Sequence, residues 1–168
     1  MKVNLIANIS HNGQVLLAGK SNHNVPQEAL GYFFQLTNNI KSLVLGSATF
    51  KVLESFGGAE QVFPGVEIVV LSAGNFSSDK YKVARTPEEA LSYLSEKGFT
   101  ATVLGGGTKT YNAFLEAGLV TDIFFNLIPV IVGDGGVIGD KDNFVTRFKI
   151  VENKMLTEEI LQVQYAAV

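Results

Sequence analysis

The chain has 168 residues, 46% of them hydrophobic, with 13 Lys plus Arg against 16 Asp plus Glu, a formal net charge of -3 and no Cys. That length fits one domain with a sizeable core, while the lack of a basic run argues against a nucleic-acid partner and the lack of Cys excludes disulfides, thiol catalysis and Cys-ligated metals. Two His, His11 and His23, are too few for a usual zinc site, and with neither an 18-residue apolar stretch nor a signal-peptide start the expected location is the cytoplasm, away from any membrane.

Val3 to Ile9 reads as a buried first strand, closed by the turn chemistry of Ser10-His11-Asn12-Gly13. Gln14 to Leu17 reads as a short strand and Ala18 to Val25 as a polar loop, with both His solvated. Pro26 sits at the favoured first position of a helix, with Glu28 in its first turn and Leu30, Phe33, Phe34 and Leu36 on the buried side. Leu43 to Gly46 is a second strand, and Ser47 to Phe56 a helix with Phe50, Leu53 and Phe56 inward, stopped by Gly57-Gly58. Val66 to Leu71 is a third strand and Lys82 to Ala84 a short one. Thr86-Pro87-Glu88-Glu89 is a cap, a proline and two acids opening a helix that ends at Gly98. Thr102 to Leu104 then forms a strand, and after Gly105-Gly106-Gly107 the spacing of Tyr111, Phe114 and Leu115 predicts a helix.

The last third reads as strands alone, over Asp122 to Val132, Arg147 to Val151 and Glu159 to Ala166. Alternating strands and helices followed by strands imply an α/β protein whose mostly parallel sheet is covered by helices and finished by antiparallel strands. In such sheets ligands sit at the carboxyl ends of the strands. Gly105 to Gly107 carry no side chains and precede a helix N-terminus, so an anion can approach the backbone there. As a pattern this turn lacks both the last Gly of the dinucleotide fingerprint and the Gly of a P-loop before Lys109-Thr110, and a plain tight turn against the core fits it equally.

Several pieces of the chain, in order, resemble the dihydrofolate reductase-like superfamily, and within it the reductase domain of bacterial riboflavin biosynthesis and its small stand-alone relatives. Leu5-Ile6-Ala7 resembles the opening strand, with Asn12-Gly13 where riboflavin-type members have Asp-Gly. Pro26-Gln27-Glu28 resembles the Pro-x-acid start of the substrate helix, and Leu45-Gly46-Ser47-Ala48-Thr49 the Gly-x-x-Thr cofactor turn. Pro64-Gly65 with Ile68 to Ser72 resembles the strand that ends in a cofactor-binding Ser. The three glycines, Phe114 to Asp122, Pro129 and Gly133 to Gly136 resemble the riboflavin-type signature.

The resemblance implies a three-layer dihydrofolate reductase-like fold over the whole chain, and a homodimer. It also implies an NADPH-dependent reductase acting on a heterocycle such as a 5-amino-6-(5-phosphoribosylamino)uracil-like pyrimidine or a pterin, with NADH left open. Carried onto this chain, the cofactor contacts are Ala7, Gly46, Ser47, Thr49, Ser72, Ala73, Leu104, Gly105, Gly106, Gly107, Thr108, Lys109 and Thr110, with one Gly-Gly peptide cis. Glu28 is the proton donor, with Asn12 and Tyr32 beside it on the substrate side. Glu28 in a partly apolar cleft would also have a raised pKa, although a first-turn acid facing the helix dipole is the alternative role. Tyr32 could stack on a flat ring, but an aromatic at helical spacing reads first as core. Asp134 belongs to a hairpin loop and not to a metal site.

Two departures bear on function. Ser47 stands where dihydrofolate reductases carry Arg or Lys for the 2'-phosphate, leaving Lys51, Lys80 and Lys82 as candidates, and Val66 stands where they hold the folate glutamate with Arg. The alternatives are therefore a nucleotide-binding protein without catalysis and an atypical dihydrofolate reductase. Lys20, Lys51 and Arg147 are candidates for a substrate phosphate.

Overall fold

The computed structural model describes all residues, Met1–Val168. Strand β1, Lys2–Ser10, is buried along nearly its whole length because it lies inside the sheet with helices over both faces. Strand β5, Ala101–Leu104, lies parallel to it on one side and β6, Asp122–Ile128, parallel on the other. With β2 Ser42–Gly46, β3 Glu67–Leu71, β4 Lys82–Ala84, β7 Phe148–Met155 and β8 Leu161–Ala167, the order across one sheet is β4-β3-β2-β5-β1-β6-β8-β7. β8 alone runs opposite to the other seven strands.

Helices α1 Gln27–Ile40, α2 Ser47–Ser55 and α3 Ala59–Val62 cover one face, packing Phe33, Phe34, Phe50 and Phe63 on Ile6, Leu43, Leu45 and Val103. Helices α4 Pro87–Glu96 and α5 Thr108–Glu116 cover the other, where Leu94, Tyr111 and Phe114 meet Val3, Leu5, Val44 and Leu104. Because neighbouring residues of a parallel strand serve opposite faces, both faces being covered explains the unbroken apolar runs of β1 to β3. The three-layer α/β fold expected from the sequence is the fold found.

Several local expectations are corrected. Pro26 is not the first helical residue: with ψ 145° it is extended and caps a helix that starts at Gln27. Leu30 is turned outward, leaving Ala29 and Thr37 as the fully buried positions of α1. Gln14 to Leu17 is not a strand: Val15 alone makes bridges, to Ile9 and to Gly136. Phe56 is 73% exposed, because α2 ends one residue before it. Pro129 lacks an N–H, and β6 ends before it at Ile128. Strands β7 and β8 begin later than expected, at Phe148 and Leu161, and α3 has no periodicity long enough to read from sequence.

Candidate functional site

Strand β1 pairs with β5 only as far as Leu5 and Leu104, although β1 continues to Ser10. Beyond Leu104 the chain turns towards β2, donating Gly105 N–H to Val44 O at 3.0 Å and receiving Gly46 N–H on Gly106 O at 2.7 Å. A notch opens beside Ile6 and Ala7, at the carboxyl ends of the central strands, and is closed beyond them by Gln14 to Leu16, where Gln14 O accepts from Ser10 N and Leu16 N donates to Asn8 O. The Gly106-Gly107 peptide, one of the two expected positions, is the cis bond, and Gly106 has φ +106°, a conformation suited to glycine.

This turn brings two helix N-termini together. A Cβ on Gly46, ahead of α2, would lie 2.6 Å from Thr110 Oγ1 of α5, and one on Gly107 3.3 Å from Thr49 Oγ1 of α2. Side chains are excluded, so the N-termini of two nine-residue helices, whose unpaired first-turn N–H groups and dipoles attract anions, lie side by side. Ser47, Thr49, Gly106, Gly107, Thr108 and Lys109 belong to these two ends, with Thr110 buried behind them, whereas Gly105 faces Leu43, Leu45 and Phe33 of the core. Leu104 is core. The donors at these two ends, backbone N–H groups with the Ser47, Thr49 and Thr108 hydroxyls, are of the kind that suits a diphosphate. Ser72 and Ala73 lie past the end of β3, where the Arg85 guanidinium donates to Ser72 O at 2.7 Å, to Gly74 O and to Phe76 O at 3.0 Å. Arg85 escaped the sequence reading because nothing local links it to a loop nine to thirteen residues earlier.

Among the basic candidates for a 2'-phosphate, Lys80 pairs with Glu60 and Lys82 with Glu89 at 2.8 Å, whereas Lys51 makes only a 5.9 Å approach to the Phe76 ring. Lys20, a candidate for substrate phosphate, pairs with Asp134 at 2.7 Å.

The substrate side is built by α1. Glu28 is exposed in its first turn and makes no side-chain hydrogen bond within the chain, so the partly apolar surroundings expected for it are not those of the lone chain. Tyr32, one turn later, packs on Phe124 of β6 at 5.7 Å between centroids, and Lys154 Nζ lies 4.7 Å from its ring. Burial, and then the nearby Glu152 charge, raise the Tyr32 phenol above its ordinary pKa. Asn12 faces its own chain: its amide donates to Val132 O at 2.8 Å and accepts from Ser10 Oγ at 2.7 Å and Val132 N at 3.2 Å.

Ala7 lies in the core cluster of the α5 face, at 3% exposure. The peptides that face the notch belong to its neighbours: Ile6 O accepts from Tyr111 Oη at 2.7 Å, and Asn8 O from Leu16 N at 2.9 Å. Burial raises the Tyr111 phenol far above its ordinary pKa and keeps it a donor. Asn8 was missed; like Asn4 it is a polar residue in a mostly apolar strand run, a signal that could have been followed.

His23, expected in solvent, is buried with a fully enclosed ring. Its Nδ1 accepts from Leu17 N at 2.9 Å, which leaves Nε2–H to donate to Asp134 Oδ1 at 2.9 Å. Asp134 is held by Lys20 and then by His23, which lower its pKa to about 2. His11 remains exposed, as expected. The loop after β1 is therefore tied to the glycine loop after β6, whose Gly136 in turn presses on Thr108 of α5. No group of three or more His, Asp or Glu is placed to hold a metal.

The sheet order and the paired glycine turns define a dihydrofolate reductase-like protein. The model of the RibD C-terminal domain matches residues 2–162, and the chain belongs to that family, the reductase type of riboflavin biosynthesis. A Shewanella sp. PV-4 structure, described as a riboflavin biosynthesis protein, is 19% identical over 100% of this chain and 99% of its own, with a TM-score of 0.76. A pyrimidine reductase-like protein from Corynebacterium diphtheriae is 16% identical over 99% and 92%, with a TM-score of 0.75. RibD of Acinetobacter baumannii is 12% identical with a TM-score of 0.78, over 99% of this chain but 58% of that one, so the chain spans little more than half its length. At such identities the likeness is one of fold. No curated protein sequence matches the chain, and no helix is long and apolar enough to cross a membrane.

Proposed function

We propose that the chain is an NADPH-dependent reductase of the riboflavin-biosynthesis type, acting in the cytoplasm on a 5-amino-6-(5-phosphoribosylamino)uracil-like pyrimidine or a pterin-like ring. The observation that supports this reading is the Gly46 N to Gly106 O bond, 2.7 Å, which sets the N-terminus of α2 beside the glycine turn that opens α5. NADPH, when bound, supplies a hydride. Ser47, Thr49, Thr108 and Lys109 hold its diphosphate; Lys51, the candidate cation without a carboxylate partner, reaches for the 2'-phosphate; Ser72 and Ala73 flank the nucleotide. Glu28 gives a proton to the heteroatom next to the reduced carbon, and Tyr32 lies against the ring.

A homodimer fits the apolar edge: on β7, the last strand of the sheet, Ile150, Val151 and Met155 are 64%, 55% and 56% exposed. A second reading, a nucleotide-binding protein without turnover, draws on the exposed, unpartnered Glu28.

The test is thermal unfolding with NADPH, NADH or buffer alone, followed by NADPH oxidation with candidate pyrimidines. A ligand at 100 times its dissociation constant adds about 2.7 kcal/mol to the folded state. The reading expects a clear NADPH shift, and turnover that Glu28→Gln lowers about 100-fold or more while the shift stays. No shift with either nucleotide rejects it, and a shift without turnover selects the binding-only alternative.

A further inference from the structure

Asn12 is the only asparagine in the chain that glycine follows. Asparagine is a thermally labile residue, and most labile in this setting, because a glycine without a Cβ leaves its backbone nitrogen free to approach the side-chain carbonyl carbon before it. Both residues are exposed, and a Cβ placed on Gly13 would find nothing within 4 Å, so the ring formed by such an attack has room.

The same amide is a tie between two loops. Asn12 Nδ2 donates to Val132 O at 2.8 Å, and its Oδ1 accepts from Ser10 Oγ at 2.7 Å and from Val132 N at 3.2 Å. Val132 is fixed in its turn, being 8% exposed and packed with Leu16, Ala29, Ile128 and Ile160. On the backbone, Gly13 N donates to Ser10 O at 2.9 Å, and Ser10 Oγ accepts from Gln14 N at 2.9 Å.

While these bonds hold, the Gly13 N–H is directed at Ser10 and the Asn12 amide at Val132. Reaction therefore waits on opening of the turn. An exposed turn closed by a few hydrogen bonds is the kind of segment that opens at low cost.

We propose that Asn12 is a site of spontaneous deamidation, gated by the turn from Ser10 to Gln14, and that its product loosens the contact between the loops after β1 and β6. In the open turn the Gly13 N–H gives up its proton to water, the nitrogen bonds to Asn12 Cγ, and the side-chain nitrogen leaves as ammonia after taking up a proton. Water then opens the succinimide ring at either carbonyl, which leaves aspartate or isoaspartate at position 12. With aspartate there, an oxygen stands where Nδ2 met Val132 O, and an attraction becomes a repulsion. The isoaspartyl form lengthens the backbone by one atom inside the turn. Either product slackens the loop that Val15 joins to Gly136.

The experiment follows the full chain, folded and in urea, in mildly alkaline buffer at physiological temperature. Peptide mass spectrometry reads the gain of one mass unit at Asn12, and isoaspartyl methyltransferase counts the isoaspartate. Asn12 is expected to convert ahead of every other asparagine, and about tenfold or more slowly folded than in urea, the scale of a small opening equilibrium. Ser10→Ala, which removes two of the turn's bonds, should speed the folded chain about fivefold, the weight of one net hydrogen bond. Thr86→Ala, which lowers stability by uncapping α4, should leave that rate unchanged. Asn12→Asp, the product made directly, should melt a few degrees below the wild type.

Another asparagine converting first, equal rates folded and in urea, no conversion of the folded chain, or equal acceleration by Ser10→Ala and Thr86→Ala overturns the gated site. An Asn12→Asp chain as stable as the wild type overturns the loosening. The wild-type comparison needs no variant to fold, and none of these readouts needs a nucleotide or turnover, so they stand apart from the reductase reading.

Discussion

A methyl group at Gly46 would meet Thr110 Oγ1 at 2.6 Å and Gly107 N at 3.4 Å, and Thr110 is too buried to move aside. Gly46→Ala is expected to cost about 1 to 3 kcal/mol, the usual range for overpacking, and to weaken NADPH more than tenfold by parting the two helix ends; urea unfolding and nucleotide titration measure the two effects. Such a position was legible because glycine beside a strand end has few structural uses. Asp134 was not, since its partners Lys20 and His23 lie 114 and 111 residues away in sequence. With its pKa lowered to about 2, Asp134 favours the folded state fully above the ordinary carboxylate value of about 4, and that contribution is lost as pH falls from there through about 2. Between those limits the melting temperature of the wild type should fall faster than that of Asp134→Asn, an effect read by calorimetry at several pH values and reduced by salt because the pair is exposed.

Elements whose signals are local were readable. Helix α4 starts as expected, Thr86 Oγ1 accepting Glu89 N at 3.2 Å ahead of Pro87. Thr86→Ala should therefore cost about 1 kcal/mol in chemical denaturation, and Thr86→Ser almost nothing. Boundaries set by tertiary contacts were misread. Val15 is extended because it fills the edge of β1 left open where β5 stops; Gln14 O accepts from Ser10 N and Leu16 N donates to Asn8 O beside it, but the contact is too short for a ladder and yields two bridges. Helix α1 presents Ala29 and Thr37 to the core and leaves Leu30 at the rim, a rotation that the mixed row of aromatics and polar residues could not specify. On the site, the turns around Gly46 and Gly105 to Gly107 were visible as local chemistry. The bonds Asn126 Nδ2 to Asn8 Oδ1 and Gln162 Nε2 to Asn126 Oδ1 were not, because these residues come from three strands joined only by the register of the sheet.

At the scale of the molecule, the sheet is closed by cover on its faces but not at its ends. Strand β7 is exposed along almost its entire length and carries three exposed apolar side chains, an edge that proteins normally protect by charge, bulges or pairing. The bulge between Ile150 and Glu152 bends it without hiding it. If β7 forms the dimer contact, Ile150→Asp should shift sedimentation from dimer to monomer with little loss of secondary structure; a wild-type monomer at micromolar concentration refutes the contact. Sheet order was foreseeable in outline, since strands followed by helices must lie parallel, but the order in which they lie side by side was not, because residue pattern does not distinguish one interior strand from another.

That order has a consequence for how the chain is made. Strand β1 comes first in sequence yet lies between β5 and β6, with contacts such as Asn4 to Thr102 and Asn8 to Asn126 spanning 98 and 118 residues. During synthesis both its edges stay open until most of the chain has left the ribosome, and long-range closure of this kind slows folding. The segment Val3 to Ile9 is then the natural target of a chaperone, and a ribosome stalled before β6 would hold a nascent chain that is prone to aggregate.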